Sequence, residues 1–310
     1  MMSIAGPREY SFVVVSQGVR LDRYVTENCP ELTRNQAQRL IGDGLVRVNG
    51  AVTKAGLKLS NGDQVTVTVP PPKFNQLEPE PIPFDVLYED DDVLVIDKPA
   101  GLPVHPAPGH PDHTLVNAIL AYLSAPPDTD DPLRPGIVHR LDMDTSGVML
   151  VARNRPAQAN LVEQFKTHSV VKLYLVLVKG HLSPERGVIE APIGRDTRNR
   201  KRMAVVAEGL GRPARTEYQV VKYTDDYSLL EVTPETGRTH QIRVHLAAIG
   251  HPVVGDTTYG VKSALLSRQF VHSSRLGFRL PSTGEYVEFG AALPPDLEKA
   301  FEDISWNIDG

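Results

Sequence analysis

The spacing of apolar and polar residues changes period several times along the chain, and each change marks an element. From Leu21 to Asn28 the apolar positions fall at helical intervals. Thr33 followed by Gln36 has the form of a capping box, in which two side chains satisfy the free N–H groups that open a helix. That second helix should end near Gly42 or Gly44. Leu45-Val46-Arg47-Val48 then reads as a short strand closed by an Asn49-Gly50 turn, and Gln64 to Val69 alternates with period two. Two helices packed on a small sheet fit this opening stretch.

The pattern breaks at Pro70 to Pro83, where six of fourteen residues are proline. Proline lacks a backbone donor and stiffens the chain, so this segment suits a spacer better than a sheet. The sequence thus predicts a first domain over 18–70, a linker over 71–84 and a larger second domain over 85–305, in keeping with a length of 310 residues. In the second domain Val86 to Tyr88, Val93 to Asp97, Val148 to Ala152, Leu173 to Val178, Ala214 to Lys222, Ser228 to Thr233 and Phe270 to Leu280 read as strands. Thr114 to Leu123, Pro156 to His168 and Thr239 to Ile249 read as helices, the last ended by Gly250. Several neighbouring strands have no helix between them. The expected class is therefore α+β, a small helix-plus-sheet module followed by a large mixed, mostly antiparallel sheet with a few flanking helices.

Composition narrows the function classes. Hydrophobic residues at 41% and charged residues at 23% are those of a folded globular chain. Apolar runs such as Leu173 to Val178 are far too short to cross a bilayer, and the first residues lack a basic start followed by an apolar core, so the expectation is a cytoplasmic protein without membrane contact. Cys29 is the only cysteine, which rules out an intrachain disulfide and a cysteine zinc site. The net charge of −5 hides an uneven distribution. From Phe74 to Asp97 there are eight acids and no Lys or Arg, whereas between Arg195 and Lys222 eight bases face three acids. The first module also carries a positive excess, through Arg20, Arg23, Arg34, Arg39, Arg47, Lys54 and Lys58. Such faces suit phosphate, or only solvent.

Three blocks could carry chemistry. HRLDMDTSG, His139 to Gly147, places a carboxylate, an arginine and hydroxyls in the loop before an apolar strand, where they form either a reactive site or a capped turn. In TGRTHQIRVHLAAIG, Arg238 lies near a helix start, where the macrodipole disfavours a cation. It then needs an anionic partner, Asp142 or an RNA phosphate, unless it merely packs its stem over apolar neighbours. In KLYLVLVKG, Tyr174 sits in a core strand, as packing or as a functional ring. His240 and His245 are five apart, on different helical faces, and His105, His110 and His113 lie among prolines, so neither set reads as a metal site.

RLDRYV followed by LTRNQAQRLIGDGLVRVNG resembles the RNA-binding module named for ribosomal protein S-four, over about residues 18 to 70. That resemblance implies backbone contacts from Arg20, Arg34, Arg47 and Lys54. The three later blocks, with VLYEDDDVLVIDKPAGLPVHP before them and GDTTYG at the end, resemble the RluA/RluD branch of the pseudouridine synthases from about Asp85 to Phe289. The resemblance implies an enzyme that isomerises uridine in RNA without a cofactor, in large-subunit ribosomal RNA first and transfer RNA second. It implies Asp142 as the essential carboxylate, attacking the substrate or taking a ribose proton, with Arg238 as its cationic partner. Tyr174 is implied as a uracil-stacking residue that receives the proton of the new carbon–carbon linkage. A target inside stacked RNA must be extruded. Arg140 is the residue expected to fill the vacated stack, since a planar guanidinium replaces base stacking. His139 is expected to support the loop, and Asp144 to be a turn residue. The competing readings are a non-catalytic RNA-binding ribosome-assembly factor on the same fold, a nucleosidase releasing free uracil, and a hydrolase using Ser146 with His139, which lacks the Gly-x-Ser-x-Gly elbow.

Overall fold

The computed structural model describes residues 8–30, 32–69, 77–107, 109–123, 127, 134–197, 199, 202–260, 262–264 and 266–306. Pro70 to Pro72 of the proline-rich segment, most of the polar loop from Ala125 to Gly136, and Arg198, Arg200 and Lys201 of the basic stretch lie outside the described residues. The chain divides into two units, Met1–Asn75 and Gln76–Gly310.

The first unit runs β1 (Arg8–Val13), α1 (Leu21–Asn28), α2 (Arg34–Gly42), β2 (Val46–Val48), β3 (Ala51–Val52) and β4 (Gln64–Val69). Its four strands form an antiparallel sheet in the order β1-β4-β2-β3. The capping box forms as the sequence predicts. The Thr33 N–H donates to Gln36 Oε1 at 2.7 Å and the Gln36 N–H donates to Thr33 Oγ1 at 3.4 Å. Leu21 and Val25 of α1, Ile41 of α2 and the inward residues Val65 and Val67 of β4 close the core. Burying these apolar faces supplies the stability that helices of eight and nine residues lack by themselves.

The second unit runs β5 (Asp85–Glu89), β6 (Val93–Lys98), α3 (Leu115–Tyr122), β7 (Ser146–Ala152), α4 (Arg155–Lys166), β8 (Val171–Lys179), β9 (Arg186–Glu190), β10 (Ile193–Arg195), β11 (Met203–Val205), β12 (Arg215–Tyr223), β13 (Tyr227–Pro234), α5 (Gln241–Ala248), β14 (Val271–Arg279), β15 (Tyr286–Gly290) and α6 (Pro295–Trp306). Nine strands make one sheet in the order β5-β6-β7-β14-β8-β13-β12-β9, with β15 paired to β14. Only the β7–β14 contact is parallel, which matches the expected α+β class. Central strands are covered on both faces. On β6, Leu94 and Ile96 join the cluster containing Met149, Ile119 and Val176, while Val93 and Val95 join the cluster containing Leu150, Leu161 and Phe278. This two-sided burial explains the unbroken apolar runs of β6 and β7.

Three ends of this framework converge. The loop before β7, the start of α5 and the inward face of β8 line one cleft.

Candidate active site

The loop before β7 is fixed by its backbone. Gly147 has φ +111°, and a Cβ there would lie 2.2 Å from the Ser273 carbonyl oxygen, so only glycine lets β7 start against β14. Upstream, the Thr145 N–H donates to the Asp142 carbonyl at 3.1 Å, closing a turn. Two buried basic side chains hold this turn through its carbonyls. The fully buried Lys98, at the end of β6, donates from Nζ to the carbonyls of Pro99, Leu102 and Met143 at 2.6, 2.8 and 2.9 Å. Arg268 Nη1 donates to the Asp144 carbonyl at 2.9 Å and is itself anchored on Asp296. Asp144 contributes its backbone carbonyl to this clamp. The Lys98 ammonium is pushed down to about 7 by burial, with Asp144 and Asp142 pulling the other way.

His139 also serves the loop. Its Nε2 accepts the Leu150 N–H at 2.9 Å, which places any ring proton on Nδ1, and its ring stacks on Phe165 at 4.7 Å. Burial pushes the imidazole down to about 3, so it stays neutral. Ser146 bonds instead to His272 Nδ1 at 3.0 Å. A Ser146–His139 pair is not formed, which removes the geometry a hydrolase would need.

The carboxylate of Asp142 projects into the cleft with 19% of its side chain exposed, and Oδ2 accepts from Arg243 Nη1 at 3.0 Å. Arg243 is on the first turn of α5. Its Nε and Nη2 form a fork on the fully buried Asp256, at 2.6 and 2.9 Å, and its guanidinium lies 5.2 Å from the Tyr259 ring centroid. Burial works to raise the Asp256 carboxyl, but Arg243 and the N–H groups of Tyr259 and Thr258 outweigh it and hold the group below its ordinary value. Arg243 is thereby shared between two carboxylates, with the stronger fork on the one that does not face the cleft. Among the described residues, Asp142 Oδ1 has no hydrogen-bond partner.

This arrangement corrects the expected Asp142–Arg238 pair. Helix α5 starts at Gln241, after His240 in the left-handed region, so Arg238 belongs to the preceding turn. The Gln241 side chain accepts from the Arg238 N–H at 3.0 Å, and Arg238 Nε donates to the Pro213 carbonyl at 3.0 Å. Arg238 lines the cleft wall without an ion pair to Asp142. Arg243 was missed because its partners are 101 and 13 residues away in sequence. The readable signal was a charged residue inside the apolar run of QIRVHLAA.

Tyr174 points into the same cleft from β8. Burial pushes its phenol up to about 12, with the facing Ser273 hydroxyl opposing and the Asp142 charge reinforcing the shift, so the hydroxyl is neutral. Arg140 lies on the exposed side of the loop, also lining the cleft. The cavity measures about 430 Å³. In the first unit, Arg20 and Arg34 meet on the buried Asp22, whereas Arg47 and Lys54 are exposed. No group of three or more His, Cys, Asp or Glu among the described residues could hold a metal ion. None of the helices among them is long and apolar enough to cross a membrane.

Comparison with known proteins adds to this geometry. A family model described as RNA pseudouridylate synthase matches residues 92–248, and the S4 domain model matches residues 19–65. An uncharacterized RNA pseudouridine synthase of Chloroflexus aurantiacus is 52% identical, over 90% of this chain and 88% of that protein. A ribosomal large subunit pseudouridine synthase D of Zymomonas mobilis is 40% identical, over 92% of this chain and 93% of that protein. Among solved structures, human RNA pseudouridylate synthase domain containing 1 matches with TM-score 0.57 and 29% identity, covering 70% of this chain and 87% of that one.

Proposed function

The chain belongs to the RNA pseudouridylate synthase family, and from that premise we propose that it isomerises uridines of large-subunit ribosomal RNA, with Asp142 as the reacting carboxylate. Large-subunit ribosomal RNA is favoured over transfer RNA by the name of the Zymomonas relative, while the S4 domain supports RNA binding in general. The reaction breaks the bond from ribose to the base nitrogen, turns the uracil and rejoins it through carbon five. It is redox-neutral and needs no energy source.

The observation that carries the reading is the asymmetry around Asp142. Arg243 holds Oδ2 at 3.0 Å and is fixed by Asp256, so the carboxylate is held in one orientation while Oδ1 remains open to substrate. That oxygen serves either route, attack on the ribose carbon or removal of a ribose proton. Tyr174 offers a ring face to uracil, and its hydroxyl acts as a relay, giving its own proton to water as its oxygen takes the one from carbon five. Extruding the nucleotide costs a few kilocalories per mole. Arg140, exposed on the loop bearing Asp142, fills the vacated position.

Tritium release from large-subunit ribosomal RNA labelled at carbon five of uridine tests this reading. Release without free uracil is the expected result. Free uracil would indicate a nucleosidase, and tight binding without release would indicate a non-catalytic RNA-binding factor.

A further inference from the structure

The cleft continues past Tyr174. Side chains alternate across a strand, so Lys172 shares the inward face of β8 with Tyr174 about 7 Å away, and it lines the same cavity. Its Nζ donates to the Glu235 carbonyl at 3.0 Å. The Glu235 carboxylate is taken by Arg215, and among the described residues no carboxylate lies within ion-pair distance of Lys172. His168 Nδ1 bonds to the same Glu235 carbonyl at 2.7 Å. The neutral His139 and Phe165 form the neighbouring wall.

An ammonium has three donors, and only one is used here. A half-buried cation beside neutral rings is costly without a counter-charge, and burial pushes Lys172 down to about 8 against the pull of Glu235. The site therefore has the form of an anion position at the end of a cavity whose reacting group is Asp142. RNA carries one such anion per nucleotide. We propose that Lys172 binds a backbone phosphate flanking the target nucleotide, so that the strand is gripped beside the base stacked on Tyr174. This inference rests on the RNA substrate proposed above. Lys172 then contributes to binding rather than to the bond-making steps.

The test uses the full chain with large-subunit ribosomal RNA transcripts, and a synthetic hairpin carrying the mapped uridine with a neutral methylphosphonate at its 5′ or 3′ phosphate. Lys172→Met should weaken transcript binding roughly tenfold. It should also lower the slope of log affinity against log salt by about 0.7. The single-turnover rate at saturating RNA should not change, and Lys172→Arg should restore the slope. One of the two methylphosphonates should weaken the wild type as much as Lys172→Met does, with no further loss when the two are combined. Losses that multiply at both positions, or a lower saturating rate with unchanged affinity and salt slope, would overturn the inference. Failure of the wild type to form pseudouridine would instead remove the functional reading, and the salt slope on transcripts would still report the phosphate contact.

Discussion

Asp22 in the first unit and Asp142 in the second are both held by arginine, yet the two carboxylates are left in opposite states. Asp22 is fully buried, and it accepts from Arg20 at 3.0 and 3.1 Å, from Arg34 at 3.0 Å, from Gln38 at 2.8 Å and from the Arg23 N–H at 3.0 Å. Both of its oxygens are occupied. The Arg20 hydrogen bonds foremost hold its carboxyl far below the usual range; burial opposes them, while Gln38 and Arg34 add to them. The half-exposed guanidinium groups of Arg20 and Arg34 are what this carboxylate presents to solvent. At Asp142 the roles are reversed. The arginine is buried and bound elsewhere, and the carboxylate keeps one open oxygen toward the cleft. An Asp–Arg pair can therefore position a cation or position a carboxylate. Which member is over-determined by further partners decides the outcome.

The comparison breaks most sharply at Asp142 itself. Asp142→Asn should abolish detectable single-turnover pseudouridine formation, a loss of more than about 10³-fold, with RNA affinity retained, as read by tritium release and filter binding. Releasing the arginine from its anchor should be next. Asp256→Asn should destabilise the second unit by about 3 kcal/mol in urea unfolding, because a buried pair loses one partner. The same variant should slow the reaction as Arg243 loses its fixed direction.

Part of this site was readable in the chain and part was not. The capping box at Thr33 and Gln36 is a local pattern, settled within four residues, and it forms as read. The α+β class and family membership follow from strand spacing and long motifs, which survive small errors at element ends. The sequence reading starts α5 at Thr239, two residues before its first residue Gln241, because the Gln241 side chain closes a turn that period counting does not register. Arg243 and Lys98 escaped notice since the contacts that tie them to the loop before β7, to the Asp142 carboxylate and to the Met143 carbonyl, span 101 and 45 residues of sequence. Strands β1, β9 and β15 are only five or six residues long and mostly exposed, and the alternation of Tyr10 and Phe12 on β1 and of Val287 and Phe289 on β15 is too short a signal to define an element without its neighbours.

Two smaller effects sharpen the contrast. Tyr174→Phe keeps the ring and removes the hydroxyl, so the saturating rate should fall by about 10²-fold while affinity holds. Asp22→Asn should loosen Arg20 and Arg34, weakening RNA binding several-fold at fixed salt with little effect on the saturating rate. Its acid behaviour follows from the direction of the shift. A carboxyl depressed in the folded state adds stability above its unfolded value near 4, and that contribution is lost as pH falls through the lower folded value. The first unit of Asp22→Asn should lack this component of acid sensitivity, which circular dichroism against pH would show.

The most direct measurement places Asp142→Asn and Asp22→Asn side by side in single-turnover tritium release, on the same large-subunit ribosomal RNA transcript and over a range of enzyme concentrations. The account predicts no release from Asp142→Asn at any concentration, and for Asp22→Asn a wild-type plateau reached only at higher enzyme. Turnover by Asp142→Asn, or a lost plateau in a folded Asp22→Asn, would contradict it.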